Sequence, residues 1–126
     1  MSPKILIACT IAVLIVLIAA TVANRSKNAQ DVRRAAQVHV DAIDAACDAY
    51  HLAMNKYPAS LNDLFGSPGD STWEGPYLHV TFSLVDPWGQ AIRYDPKGPR
   101  HKGTRPDIWS AGPDKKDATD DDIVND

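Results

Sequence analysis

Aspartates crowd the end of the chain. Asp114, Asp117, Asp120, Asp121 and Asp122 fall within nine residues, behind the run Asp107-Ile108-Trp109-Ser110-Ala111-Gly112-Pro113. Carboxylates packed this closely repel one another unless a counter-charge sits among them or water keeps them apart. Hard cations such as Ca2+ take about six to eight oxygens from carboxylates and backbone carbonyls, and an Asp-rich loop just after a strand supplies that type of ligand. The alternative reading is a solvated acidic tail that binds nothing.

Elsewhere the chain is poor in reactive arrangements. It contains no phosphate-binding loop, dinucleotide fingerprint, Ser-His-Asp set or zinc motif, and no nucleophile stands beside a base. His39, His51, His79 and His101 lack metal-ligand spacing and read as surface or boundary residues. Asp86, two residues before Trp88, has the composition of a general acid in an apolar setting, yet within Asp86-Pro87-Trp88-Gly89 it reads more simply as a turn aspartate. A formal net charge of -3 without a basic stripe argues against nucleic acid as a partner. No enzyme activity and no small-molecule substrate are expected. Cys9 lies in an apolar run and Cys47 on a helix beyond it, so no disulfide is expected between them.

These residues need elements to hold them. Residues 5–23 carry no charge, and at about 1.5 Å per residue a helix of that length crosses a hydrocarbon core. A membrane span is expected, with a cleaved secretory signal as the alternative. Arg25, Lys27, Arg33 and Arg34 follow the span and only Lys4 precedes it, so charge alone would place the following domain in the cytoplasm. Val32, Ala36, Ile43, Cys47, Tyr50 and Met54 then recur at helical spacing, and no Gly or Pro interrupts residues 4–57. One continuous helix follows from this, apolar all round at first and two-faced later; two helices hinged near residues 24–28 are the alternative. Ala35, Ala36, Ala42, Ala46 and Ala53 would let a small sheet approach closely.

Pro58 is expected to end the helix, and Ser60 to cap a short helix over residues 61–65. Beyond a Gly/Pro/Ser loop, residues 80–85, 91–94 and 107–110 read as short antiparallel strands. Asp86-Pro87-Trp88-Gly89 and Asp95-Pro96-Lys97-Gly98 are turns, and residues 99–104 read as a mobile hairpin tip. Trp73, Trp88 and Trp109 are expected to fill a small core. The chain is thus divided into a transmembrane helix (1–24), its amphipathic continuation (25–57) and a small globular domain (58–126).

The ordered series Tyr57-Pro58, Trp73-Glu74-Gly75-Pro76-Tyr77-Leu78, Asp86-Pro87-Trp88-Gly89-Gln90, Asp107-Ile108-Trp109-Ser110-Ala111-Gly112-Pro113-Asp114 and Asp121-Asp122-Ile123-Val124-Asn125 resembles the major pseudopilin of the type II secretion system. That resemblance implies an α+β, pilin-like fold, a long N-terminal helix packed on a small antiparallel sheet, with a calcium-binding C-terminal loop. It implies Asp114, the carbonyl of Ala111 and aspartates among Asp120, Asp121 and Asp122 as calcium ligands, with Asp117 a further candidate. It also implies a single-pass inner-membrane protein whose domain lies in the periplasm. Its partners would be other pseudopilin subunits, copies of itself among them, in a filament serving protein secretion.

Members of that family carry a Gly at the prepilin-peptidase cut and a Glu five residues into the mature helix, neither of which occurs in Met1-Ser2-Pro3-Lys4-Ile5-Leu6-Ile7-Ala8. An intramembrane carboxylate is costly in lipid and is kept for a partner. Two expectations result: a filament subunit, or a membrane-tethered calcium-binding domain of the same fold that does not polymerise.

Overall fold

The computed structural model describes residues 2–126. A single helix, α1, runs Pro3–Met54, and the chain divides into two compact units, Met1–Val32 and Arg33–Asp126. In the first unit the described side chains are exposed, from Ile5 to Val22. An 18-residue window of α1 has mean hydropathy 3.0 and none of it is buried within the protein. The hydroxyls of Thr10 and Thr21 each donate to a backbone carbonyl of the same helix, Ile7 and Ile18, at 2.8 Å. These two polar groups are therefore satisfied without water, as lipid requires.

In the second unit α1 buries Ala36, Val40, Ile43, Ala46, Cys47, Tyr50 and Met54. The stripe advances mainly by alternate steps of four and three residues, so every turn contributes to one core-facing side. The helix stops at Met54, three residues short of the expected end at Tyr57. Asn55 takes a left-handed conformation, φ 56°, and its N–H still bonds the His51 carbonyl. An Asn in that conformation closes a helix before the steric effect of Pro58 is needed.

Ser60 caps a 310 turn over Leu61–Leu64 in a capping box with Asp63, as expected, and Leu61 and Leu64 are buried. The Leu64 carbonyl then accepts the N–H groups of Tyr77 and Leu78. Trp73 and Tyr77 meet edge-on at 5.8 Å, and Tyr77 meets Tyr50 of α1 edge-on at 5.4 Å. Gly75, joined to Pro76 by a cis peptide bond, lies between these rings. A Cβ there would stand 2.4 Å from the Trp73 ring, so only glycine lets the two aromatics close over it.

The sheet has three strands, β1 (Arg93–Asp95), β2 (Asp107–Ser110) and β3 (Ile123–Val124), antiparallel in the order β1-β2-β3. Register pairs Arg93 with Trp109, Tyr94 with Ile108, Trp109 with Val124 and Ser110 with Ile123. Tyr94, Ile108, Ser110 and Ile123 therefore share one side, and Ile108 and Ile123 join the α1 stripe in one core. Arg93, Trp109 and Val124 share the other.

Three expectations are corrected here. Residues 80–85 do not form a strand: Val85 makes an isolated bridge to Ala91, and the Ile92 N–H bonds the Leu84 carbonyl. Upstream, the His79 ring, the His79 carbonyl and the Ser83 hydroxyl capture the N–H groups of Thr81, Phe82 and Val85, so local bonds replace a ladder. Phe82 instead stacks on His39 of α1 at 4.5 Å. Trp109 is not in the core, because its register places it on the outer side, whereas Trp73 and Trp88 pack against the core. Residues 99–104 do lie at the tip of the β1–β2 hairpin, but the tip is fastened rather than loose. Pro99–His101 forms a 310 turn fastened to Asp107, whose carboxylate accepts from the Arg100 N–H at 2.9 Å and bonds His101 Nδ1 at 2.7 Å.

Candidate functional site: the C-terminal acidic loop

The loop joins β2 to β3. It leaves the sheet at Ala111, which is fully buried, and turns at Gly112, φ 74°. A Cβ on Gly112 would lie 2.4 Å from the Asp121 carbonyl oxygen, so the two ends of the loop meet at a point only glycine permits. Lys115 and Ala118 also adopt left-handed conformations, and the loop curls back on itself.

Two of the nominated aspartates come together. Asp121 accepts the Asp114 N–H at 3.0 Å and the Thr119 hydroxyl. Its carboxyl is held below the ordinary carboxylate range, first by Thr119 and then by the amide and side chain of Asp114, against an opposing effect of burial. Asp114 in turn accepts the Lys116 N–H at 2.8 Å. The others diverge. Asp117 accepts Arg93 Nε at 3.1 Å and Trp109 Nε1 at 2.9 Å. Asp122 accepts the Ala118 N–H at 2.9 Å and lies 3.9 Å from an Arg100 nitrogen. Asp120 is exposed, with no hydrogen-bond or ion-pair partner among the described residues. Among those residues no three His, Cys, Asp or Glu side chains converge as a ready-made metal set. The donors that do meet are Asp114, Asp121 and the backbone around Gly112. They are all oxygen, which suits a hard cation and no softer one.

Residues outside the loop set its position. Asp86, only 4% exposed, accepts the N–H groups of Trp88 and Gln90 at 3.1 and 2.8 Å through one oxygen. Its other oxygen accepts the Ser110 hydroxyl at 2.6 Å, and Ser110 Oγ accepts the Gly112 N–H at 3.1 Å. The Asp86-Pro87-Trp88-Gly89 turn, closed by the Gly89 N–H on the Asp86 carbonyl, is thereby tied to the root of the loop. At the other end Asn125, 3% exposed, exchanges bonds with Ile108 and donates to Asp44 of α1 at 2.8 Å. Gln37 of α1 donates to the Val124 carbonyl at 3.1 Å. The chain end is thus laid against the helix rather than solvated as a tail.

Sequence reading missed Arg93, Arg100, Ser110 and Asn125. The Asn that ends the Asp-Ile-Val-Asn run was visible as part of a motif, but no spacing rule announces a bond to a helix 81 residues earlier. The Cys47 thiol is pushed up to about 12 by burial, with Asp44 and Asp48 adding to the shift, so it stays protonated at neutral pH.

A long helix with an exposed apolar first part and a second part packed on a small antiparallel sheet defines a pilin-like protein. The family described as type II secretion system (T2SS), protein G matches residues 21–126, and the chain belongs to that family. The crystal structure of the major pseudopilin from the type 2 secretion system of enterohaemorrhagic Escherichia coli is similar, with a TM-score of 0.61 and 26% sequence identity, covering 80% of this chain and 91% of that one. Among curated proteins none matches significantly.

Proposed function

We propose that the chain is a structural subunit of a type II secretion pseudopilus. Residues 5–23 anchor it in the inner membrane, its domain lies in the periplasm, and its partners are other pseudopilin subunits, further copies of itself among them. The observation that carries this reading is the family match, which runs unbroken from within the apolar segment to the chain end. Within the second unit, the bonds of Gln37 and Asp44 to the last residues hold the chain end to the helix.

Calcium stabilisation of the loop is part of the proposal. Asp114, Asp121 and backbone carbonyls near Ala111 would hold the ion, which would supply the positive charge that adjacent carboxylates lack. The support is the closeness of the two ends of the loop, where the Asp114 N–H bonds the Asp121 carboxylate and Gly112 meets the Asp121 carbonyl. Asp117 is left out of this ligand set because Arg93 and Trp109 bond it, Asp122 because the Ala118 N–H and the Thr119 hydroxyl bond it beside Arg100, and Asp120 because it faces water.

Site-specific cross-linking in intact membranes tests the assembly. Residues on the exposed side of α1, such as Val38 and Leu52, which are 64% and 86% exposed, are expected to cross-link to other pseudopilin chains. A product that stays monomeric at every position would favour the tethered, non-polymerising domain instead.

A further inference from the structure

The outer side of the sheet carries a cluster that neither the membrane anchor nor the ion explains. Trp109 stands at its centre, opposite Arg93 in the register of β1 and β2. Its indole Nε1–H donates to Asp117 at 2.9 Å, and the same carboxylate oxygen accepts Arg93 Nε at 3.1 Å. The Arg93 guanidinium is aimed by a second bond, from Nη1 to the Ala91 carbonyl at 2.7 Å. Over the ring lies the Arg100 guanidinium, 4.7 Å from its centroid, and a nitrogen of that group is 3.9 Å from Asp122. The Asp122 side chain is only 7% exposed. One indole therefore organises two guanidinium groups, each facing an aspartate at opposite ends of residues 117–122. We propose that Trp109, Arg93 and Arg100 form a protein-built clasp that closes this half of the loop onto the sheet without an ion.

The chemistry supports closure. Guanidinium–carboxylate bonds are charge-assisted, the cation–π contact fixes Arg100 in place, and two positive charges face two of the three aspartates that the ion reading leaves aside, Asp117 and Asp122. A network of this kind does more than an isolated surface pair, whose benefit is small. The clasp uses Asp117 and Asp122, whereas the ion reading uses Asp114 and Asp121, and the two sets meet at Thr119, whose hydroxyl bonds both Asp121 and Asp122. The loop would thus be closed at 117–122 by the protein's own charges.

Hydrogen exchange on the full chain in detergent micelles, with chelator present, tests this. The N–H groups of Ala118 and Asp122 bond the Asp122 carboxylate and the Thr119 carbonyl when the loop is closed, and they are expected to exchange slowly in the wild type. Arg93→Gln should speed them by about threefold to tenfold. Trp109→Phe, which removes the indole donor and keeps a ring for Arg100, should speed them less. The charge swap Arg93→Asp with Asp117→Arg should restore slow exchange relative to Arg93→Asp alone. Wild-type amides that exchange as freely in chelator as in an unfolded peptide would overturn the clasp, and so would an Arg93→Gln variant indistinguishable from wild type. If Arg93→Gln also exposes the amides around Ile43 and Cys47 in α1, the swap decides: restoration supports the clasp and failure overturns it. Addition of calcium reports separately on Asp114 and Asp121, so the two readings fail independently.

Discussion

Asp86 and Asp107 are 4% and 2% exposed, whereas Asp114, Asp117 and Asp120 of the loop lie in reach of water. The same side chain is satisfied in two ways. At Asp86 most of the donors come from the next four residues, as N–H groups of a turn that the carboxylate itself helps to form. At Asp107 they come from a 310 turn six and seven residues earlier. Asp117 instead depends on Arg93, 24 residues away, and on Trp109. A buried carboxylate with local donors is committed as soon as its turn forms. An exposed one with distant donors must wait for strand register.

If this contrast is right, the largest loss follows from the buried member. Asp86→Ala leaves the Ser110 hydroxyl and two N–H groups without an acceptor in a site closed to water, and the fold is expected to lose about 3 kcal/mol in thermal or denaturant unfolding of the full chain. Asp86→Asn keeps the oxygen facing Trp88 and Gln90 and should cost only about 1 kcal/mol. Equal losses from the two variants would mean that charge, not the bonds of the turn, holds this site.

The ion comes next. Calcium at a hundred times its dissociation constant is expected to stabilise the native chain by about 2.7 kcal/mol, read as a rise in Tm that chelator reverses. Asp114→Ala should remove that rise, while Asp117→Ala should leave it in place, because Asp117 belongs to Arg93. A Tm indifferent to calcium and chelator alike would end the ion reading and leave the clasp untouched. Gly112→Ala follows at about 2 kcal/mol, from a Cβ driven against the Asp121 carbonyl at a left-handed φ, and it should also abolish the response to calcium.

The same division explains what could be read in advance. The α1 stripe, the Ser60 cap and the Asp86 turn rest on neighbours within a few residues, and spacing alone reveals them. β3 was not expected, since two residues beside four charged ones carry no strand signal and pair only because Asn125 locks onto Ile108. Trp109 was assigned to the core by its size, yet its side of the sheet is decided by register with Arg93. Residues 80–85 looked like a strand by composition and lost that role to His79 and Ser83. Of the loop residues, Ala111, Asp114, Asp117, Asp120, Asp121 and Asp122 are all nominated from the sequence as potential ligands, without distinction among the last three. The arginines that face Asp117 and Asp122 were not legible, for they belong to other segments of the chain.

The smallest effect separates the loop from an ordinary exposed turn. Asp121 and Asp70 are both held below the usual carboxylate value of 3.8, each chiefly by a threonine hydroxyl, Thr119 and Thr72. A folded-state pKa below the unfolded one favours the fold while both states are ionised, and that advantage is lost as pH falls through 3.8 toward the lowered value. Thr119→Val and Thr72→Val should each flatten the acid limb of the stability–pH curve, detected as a smaller drop in Tm below pH 4. Calcium distinguishes the pair. An ion at Asp121 further disfavours its protonation, so added calcium should steepen the acid limb of the wild type and of Thr72→Val. Asp114→Ala should lose that steepening and keep the contribution of Asp70. Equal responses to calcium at Asp70 and Asp121 would mean that the ion acts only as a general screen of exposed charge.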